Sequence, residues 1–171
     1  MIGVVNASPL IYLGKIGRLN ILPKIFSEVW TSKEVKLEVL SKDLAPEIPL
    51  IEQAFNTWLK LYKIKNDSLK INLLKLNIHL GEASIIASAY ELKQVKKEAI
   101  AIIDDLTARE IARTFNIPVI GTVGILLRSV KDHLLTKKQC KNHLEFLLEE
   151  TSFRITPKLY FKILKKLEEL Q

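Results

Sequence analysis

Apolar residues follow two rhythms along this chain. In the first they form short unbroken runs: Ile2-Gly3-Val4-Val5, then residues 99–103, then Pro118-Val119-Ile120. Runs this short and this apolar predict strands buried on both faces. Glu28-Val29-Trp30-Thr31 reads as a further strand, and residues 58–64 alternate in part, as an edge strand does. In the second rhythm apolar residues recur at helical spacing. Ser8 is a good N-cap and Pro9 suits the first helical position, so a helix through Leu10, Ile11 and Leu13 is expected, ending near Gly14 or Gly17. A short helix is expected over 19–25. Ser32 caps another, in which Val35, Val39 and Leu40 share a face. Pro46 and Pro49 interrupt the next stretch, and Asp67 resembles an N-cap. The Ala-rich segment 81–92 predicts a buried helix. Residues 106–115 predict one that stops at Asn116, and Gly121-Thr122 opens one towards Val130. Thr136 and Thr156-Pro157 begin two amphipathic helices. Their apolar stripes are Leu144, Leu147 and Leu148, then Leu159, Ile163, Leu164 and Leu167.

Strands alternating with helices, with the central strands apolar throughout, predict a three-layer α/β/α sandwich around a parallel sheet. With no repeat, linker or shift of composition, residues 1–171 read as a single domain, with the helices of 136–171 packed on it. A content of 48% hydrophobic and 26% charged residues excludes a disordered chain. Cys140 is the only cysteine, so an internal disulfide is excluded and a reducing, cytoplasmic location is expected. No apolar run approaches the roughly 20 residues of a membrane span. The net charge of +7 permits a nucleic-acid partner without identifying one.

In a parallel sheet the active crevice lies beyond the carboxyl ends of the strands, where strand order reverses. That directs attention to Asn6-Ala7-Ser8 and to Asp104-Asp105, each directly after an apolar run. Adjacent carboxylates at a buried strand end repel each other unless a cation is near, and hard oxygen ligands suit Mg²⁺ or Mn²⁺. A single Asp there is equally well explained as the cap of the next helix. Glu82, at a helix start, and Glu38, four residues after Glu34, each read alone as ordinary helix charges. Asn6 can hold a metal-bound water or simply a turn. His79, His133 and His143 have no metal-binding spacing, and Ser8 has no histidine near it in sequence. Gly121-Thr122-Val123-Gly124 lacks the lysine of a P-loop, though Thr122 could meet a phosphate at the helix start. Lys15, Arg18, Arg109, Arg113 and Arg128 flank these turns.

The order of segments is informative where each segment alone is not. Val4-Val5-Asn6-Ala7-Ser8-Pro9-Leu10-Ile11 is followed by Val35-Lys36-Leu37-Glu38-Val39-Leu40. Then come Gly81-Glu82-Ala83-Ser84-Ile85-Ile86-Ala87, Ile103-Asp104-Asp105-Leu106-Thr107-Ala108-Arg109 and Pro118-Val119-Ile120-Gly121-Thr122. This series resembles the PIN-domain family over nearly the whole chain. The resemblance implies a Rossmann-like sheet and a metal-dependent ribonuclease, in many members the toxin of a toxin–antitoxin pair. It implies an acidic quartet at Asn6, Glu38, Glu82 and Asp104 or Asp105, with the carboxylates holding Mg²⁺ or Mn²⁺. Ser8, Lys15, Arg109 and Thr122 are then the expected substrate contacts. RNA, an antitoxin protein and a second copy of the chain are the expected partners. Asn6 departs from the Asp usual in active members: it keeps an oxygen ligand and loses a charge. A non-catalytic PIN-like module that binds RNA or protein is therefore the alternative. A phospho-receiver domain is excluded, because its Asp pair would follow the first strand.

Overall fold

The computed structural model describes residues 1–41 and 45–170. The chain forms two compact units, Met1–Thr122 and Val123–Gln171. The first is built on a five-stranded parallel sheet of β1 Ile2–Val5, β2 Glu28–Thr31, β3 Leu59–Leu61, β4 Ala99–Ile102 and β5 Val119–Ile120. The spatial order is β3-β2-β1-β4-β5, with every neighbouring pair parallel. Its helices are α1 Ala7–Lys15, α2 Leu22–Ile25, α3 Lys33–Val39, α4 Ile48–Thr57, α5 Ser68–Leu74, α6 Leu80–Gln94 and α7 Leu106–Thr114.

From β1 the chain steps outward to β2 and β3, then returns past β1 to β4 and β5. Right-handed crossovers in opposite directions place their helices on opposite faces of the sheet. Accordingly α1 packs with α4, whereas α6 packs with α5 and α7. The result is the expected three-layer α/β/α sandwich. Val4, Val5, Ala101 and Ile102 lose all exposure between these layers, as do Leu10, Leu13, Ile85 and Ile86. Covering on both faces is why β1 and β4 carry no polar residue.

Helix α6 is the innermost helix, and its small residues fit that place. Ala83, Ser84, Ala87, Ser88 and Ala89 are all buried. The serine hydroxyls satisfy themselves within the helix: Ser84 donates to the Gly81 carbonyl and Ser88 to the Ser84 carbonyl, both at 2.7 Å. Ser84 Oγ also lies 2.7 Å from Ser32 Oγ. The two hydroxyls therefore share a hydrogen bond, in which either can donate. Ser32 in turn accepts from the Val35 amide at 3.1 Å, capping α3 as expected. A buried chain of hydroxyls thus fixes the start of α3 against the start of α6.

Several expectations are corrected. Helix α1 begins at Ala7, with Asn6 and not Ser8 at the N-cap. Pro9 is its third residue, a position whose missing N–H would have had no helical partner in any case. The prolines do not interrupt a helix after residue 45; Pro49 lies in the first turn of α4, where proline is tolerated. Strand β3 occupies only residues 59–61 of the expected 58–64, at the edge of the sheet. The Asp67 side chain makes no cap bond and instead pairs with Lys70 at 2.8 Å.

The second unit contains α9 Lys137–Glu150 and α10 Pro157–Glu169, preceded by α8 Thr122–Lys131. Thr136 and Thr156 both cap as expected, accepting from Gln139 and Leu159. The two helices are tied by the Tyr160 hydroxyl on Glu145 at 3.2 Å and Lys137 Nζ on the Glu168 carbonyl at 2.9 Å. Leu144, Leu147, Ile163 and Leu167 are buried. Cys140 is buried too, and burial pushes its thiol up to about 11, so it rests protonated. Among the described residues no helix is long and apolar enough to cross a membrane.

Ser32→Ala removes a helix cap and leaves Ser84 without its buried hydroxyl partner. It should cost about 1–2 kcal/mol in urea unfolding, with an unchanged denaturant slope.

Candidate functional site

The strand order reverses between β1 and β4, the place beyond the strand ends where a parallel sheet offers a binding crevice. Asn6 follows β1 directly, its amide donating to the Ile102 carbonyl at 3.0 Å. It stands at the N-cap of α1 in an extended conformation, yet its side chain makes no cap bond. The residue is only 4% exposed, and its Oδ1 has no hydrogen-bond partner among the described residues. An orphaned buried oxygen calls for an explanation.

Glu38, in the last turn of α3, reaches the same place. A Cβ built on Gly81 would stand 2.9 Å from Glu38 Oε2 and 3.1 Å from Asn6 Oδ1. Both oxygens therefore lie against Gly81, separated by no more than the sum of those distances. Glu82, the next residue of α6, accepts from the His79 amide at 2.7 Å, satisfying one of the free donors at that helix start. Burial pushes the Glu82 carboxyl above the usual carboxylate range. The His79 donor opposes this rise, and the nearby Asp105 and Glu38 carboxylates add to it. Asn6 and Glu38 thus meet beside Gly81, with Glu82 the next residue of α6 and Asp105 near enough to Glu82 to raise its carboxyl.

The two neighbouring aspartates have different tasks. Asp105 is exposed and caps α7, its Oδ1 accepting from the Ala108 amide at 2.7 Å. Asp104 turns the other way. Its Oδ1 accepts from the Thr122 amide at 2.7 Å and its Oδ2 from the Thr122 hydroxyl at 2.6 Å. Burial nonetheless raises the Asp104 carboxyl, against the pull of Thr122 and Arg109. The turn closes so tightly over this carboxylate that a Cβ on Gly121 would lie 2.7 Å from Asp104 Oδ1. Asp104 is therefore a clasp joining the end of β4 to the turn after β5.

The expected substrate contacts are placed as follows. Ser8 is the second residue of α1, beside Asn6. Thr122 is fully buried, with both donors committed to Asp104. Arg109 is half-buried beside Asp104, its Nε without a partner. Lys15 ends α1 nine residues beyond Asn6, about 13 Å along the helix axis. Ser8 thus stands at the Asn6 end of α1 and Lys15 at the far end of the same helix.

Among the described residues, no group of three His, Cys, Asp or Glu side chains is already close enough to hold a metal ion. The donors nonetheless fit a hard cation. Mg²⁺ is bound through one or two carboxylates and retained waters more often than by an all-protein cage. Here Asn6 Oδ1 is orphaned, Glu38 Oε2 lies against the same glycine, and Glu82 and Asp105 supply further negative charge. Gly81, Ser32 and Ser84 shape this site but do not stand out as functional residues in the sequence. The available signal is a glycine inside the first turn of an Ala-rich helix, where it costs about 1 kcal/mol relative to alanine.

A family model, DUF3368, described as a PIN domain, matches residues 2–169. The chain belongs to the PIN-domain family, and the parallel sheet agrees with that assignment. No curated protein and no solved structure matches it.

Two measurements check the electrostatics. Glu82→Gln keeps an acceptor for the His79 amide but removes a charge crowded by Asp105 and Glu38. A carboxyl raised in the folded state stabilises folding fully only below its unfolded pKa, about 4, and loses that contribution as pH rises through the folded value. In EDTA the variant should therefore melt higher than the native protein at pH 7, with the difference vanishing near pH 3.5. Thr122→Val strands one Asp104 oxygen and should cost about 1–3 kcal/mol in chemical unfolding.

Proposed function

We propose that this protein is a metal-dependent endoribonuclease of the PIN type. The observation that supports this most is the meeting of the orphaned Asn6 Oδ1 and Glu38 Oε2 beside Gly81, with Glu82 and Asp105 within electrostatic reach. Asn6, Glu38, Glu82 and Asp105 would hold Mg²⁺ or Mn²⁺. When bound, such an ion lowers the pKa of water and stabilises charge on a phosphodiester.

The chain's own residues supply placement. The Ser32–Ser84 hydroxyl link sets α3 against α6, which aims Glu38 at Gly81. Asp104 clasps Thr122 and leaves Asp105 as the carboxylate at the crevice. Arg109 and Ser8 would meet phosphate, with Thr122 acting through Asp104 alone. The net charge of +7 favours a polyanion near a centre that is itself acidic. By its family the chain also fits the toxin of a toxin–antitoxin pair in the cytoplasm. Expression alone should then arrest growth, and an antitoxin protein encoded beside it should relieve the arrest.

Asn6 supports the second reading, a PIN-like module that binds RNA without cutting it. Purified protein incubated with RNA and Mn²⁺ separates the two. The nuclease reading expects slow cleavage that EDTA abolishes and that falls at least a hundredfold in Glu38→Gln. Cleavage indifferent to EDTA and to Glu38 would contradict it. RNA bound but uncut, by both the native protein and Asn6→Asp, would favour the binding module.

Asn6→Asp restores a charge beside Glu38. It should tighten Mn²⁺ binding at least tenfold by calorimetry. Measured in EDTA, the same change should lower the melting temperature, because it adds a buried carboxylate with no donor of its own.

A further inference from the structure

Gly81 is an unfavourable choice by every local criterion. It is the second residue of α6, it is buried, and its backbone is helical, so no positive φ requires glycine. Alanine there would favour the helix by up to about 1 kcal/mol. The neighbours that a Cβ would meet are Glu38 Oε2 at 2.9 Å, Asn6 Oδ1 at 3.1 Å and Val35 Cγ2 at 3.5 Å. The last is an ordinary contact. The first two are the ends of side chains, and Glu38 is long enough to swing aside at little cost. The fold itself therefore gives no reason to refuse a methyl group.

We infer that Gly81 is a positioning residue for the metal-binding oxygens: its missing side chain lets Glu38 Oε2 and Asn6 Oδ1 face one point. This inference rests on the reading of the site as a metal centre and adds a residue that ligates nothing itself. Asn6 is 4% exposed, so its side chain has room to give only the few tenths of an ångström that a 3.1 Å contact asks. A Cβ at position 81 would therefore displace mainly the Glu38 carboxylate. Among the described residues, no hydroxyl or amide hydrogen-bonds that carboxylate to return it to place. The two oxygens would then no longer share a point, and a cation would lose one of them.

The effect separates metal binding from stability, which a packing role would not do. The test compares the native protein with Gly81→Ala. It uses calorimetric Mn²⁺ titration, with Mn²⁺ electron paramagnetic resonance as a second readout of bound ion, and thermal unfolding in EDTA. The expected result is a loss of Mn²⁺ affinity of tenfold or more, with a metal-free melting temperature equal to the native value or higher. Equal Mn²⁺ affinity in the two proteins would leave the metal centre standing and overturn the role of Gly81. A loss of affinity together with a lower metal-free melting temperature would also overturn it, because the methyl group would then be disturbing the packing. Absence of Mn²⁺ binding in the native protein would remove the metal reading, and this inference with it.

Discussion

Strand β1 pairs with β2 on one side and β4 on the other, and both partners run parallel to it. Three chains therefore leave the sheet at the same end, carrying Asn6, Ser32 and Asp104. The chain departing from β1 turns towards one helical layer and that from β4 towards the other. Neither departure covers the ground between them. Helices α3 and α6 fill part of that gap, and the hydroxyl link from Ser32 to Ser84 holds them together. The crevice follows from strand order, and its polar lining from what terminates each element. Asn6 ends β1, Glu38 lies in the last turn of α3, Glu82 in the first turn of α6, and Asp105 caps α7.

A concentration of carboxylates at a partly buried point opposes folding unless something offsets it. The chain offsets some of this locally: Glu82 takes the His79 amide and Asp105 the Ala108 amide. Asp104 is withdrawn altogether into its clasp with Thr122. Asn6 contributes an oxygen without a charge, which reduces the repulsion that a fourth carboxylate would add. What remains uncompensated is the Asn6 oxygen itself and the raised carboxyl of Glu82. Both deficits have the sign that a divalent cation would remove.

The sheet was legible in the sequence because burial on both faces makes β1 and β4 apolar throughout, a pattern little else produces. Helix starts were less so. Ser8-Pro9 has the form of a cap followed by a first helical residue, yet the chain begins α1 at Ala7, since proline is equally acceptable anywhere in the first turn. Helix α4 was hidden by the same ambiguity at Pro49. Glu82 and Asp105 read singly as helix-end charges, and each does bind a helix-end amide. Only the order of the segments marked them as a set. The choice between Asp104 and Asp105 could not be made in sequence. It depends on a hydrogen bond to Thr122, eighteen residues on. Gly81 stood inside the family motif as a letter without a role until the oxygens beside it were placed.

A metal centre in this fold depends on the approach of Asn6 and Glu38 beside Gly81. A crystal grown with Mn²⁺ and measured at the manganese absorption edge locates the ion directly. An anomalous peak within bonding distance of both Asn6 Oδ1 and a Glu38 carboxylate oxygen, beside Gly81, is the predicted result. A peak at another place, or none in this crevice with Mn²⁺ in excess, would contradict it.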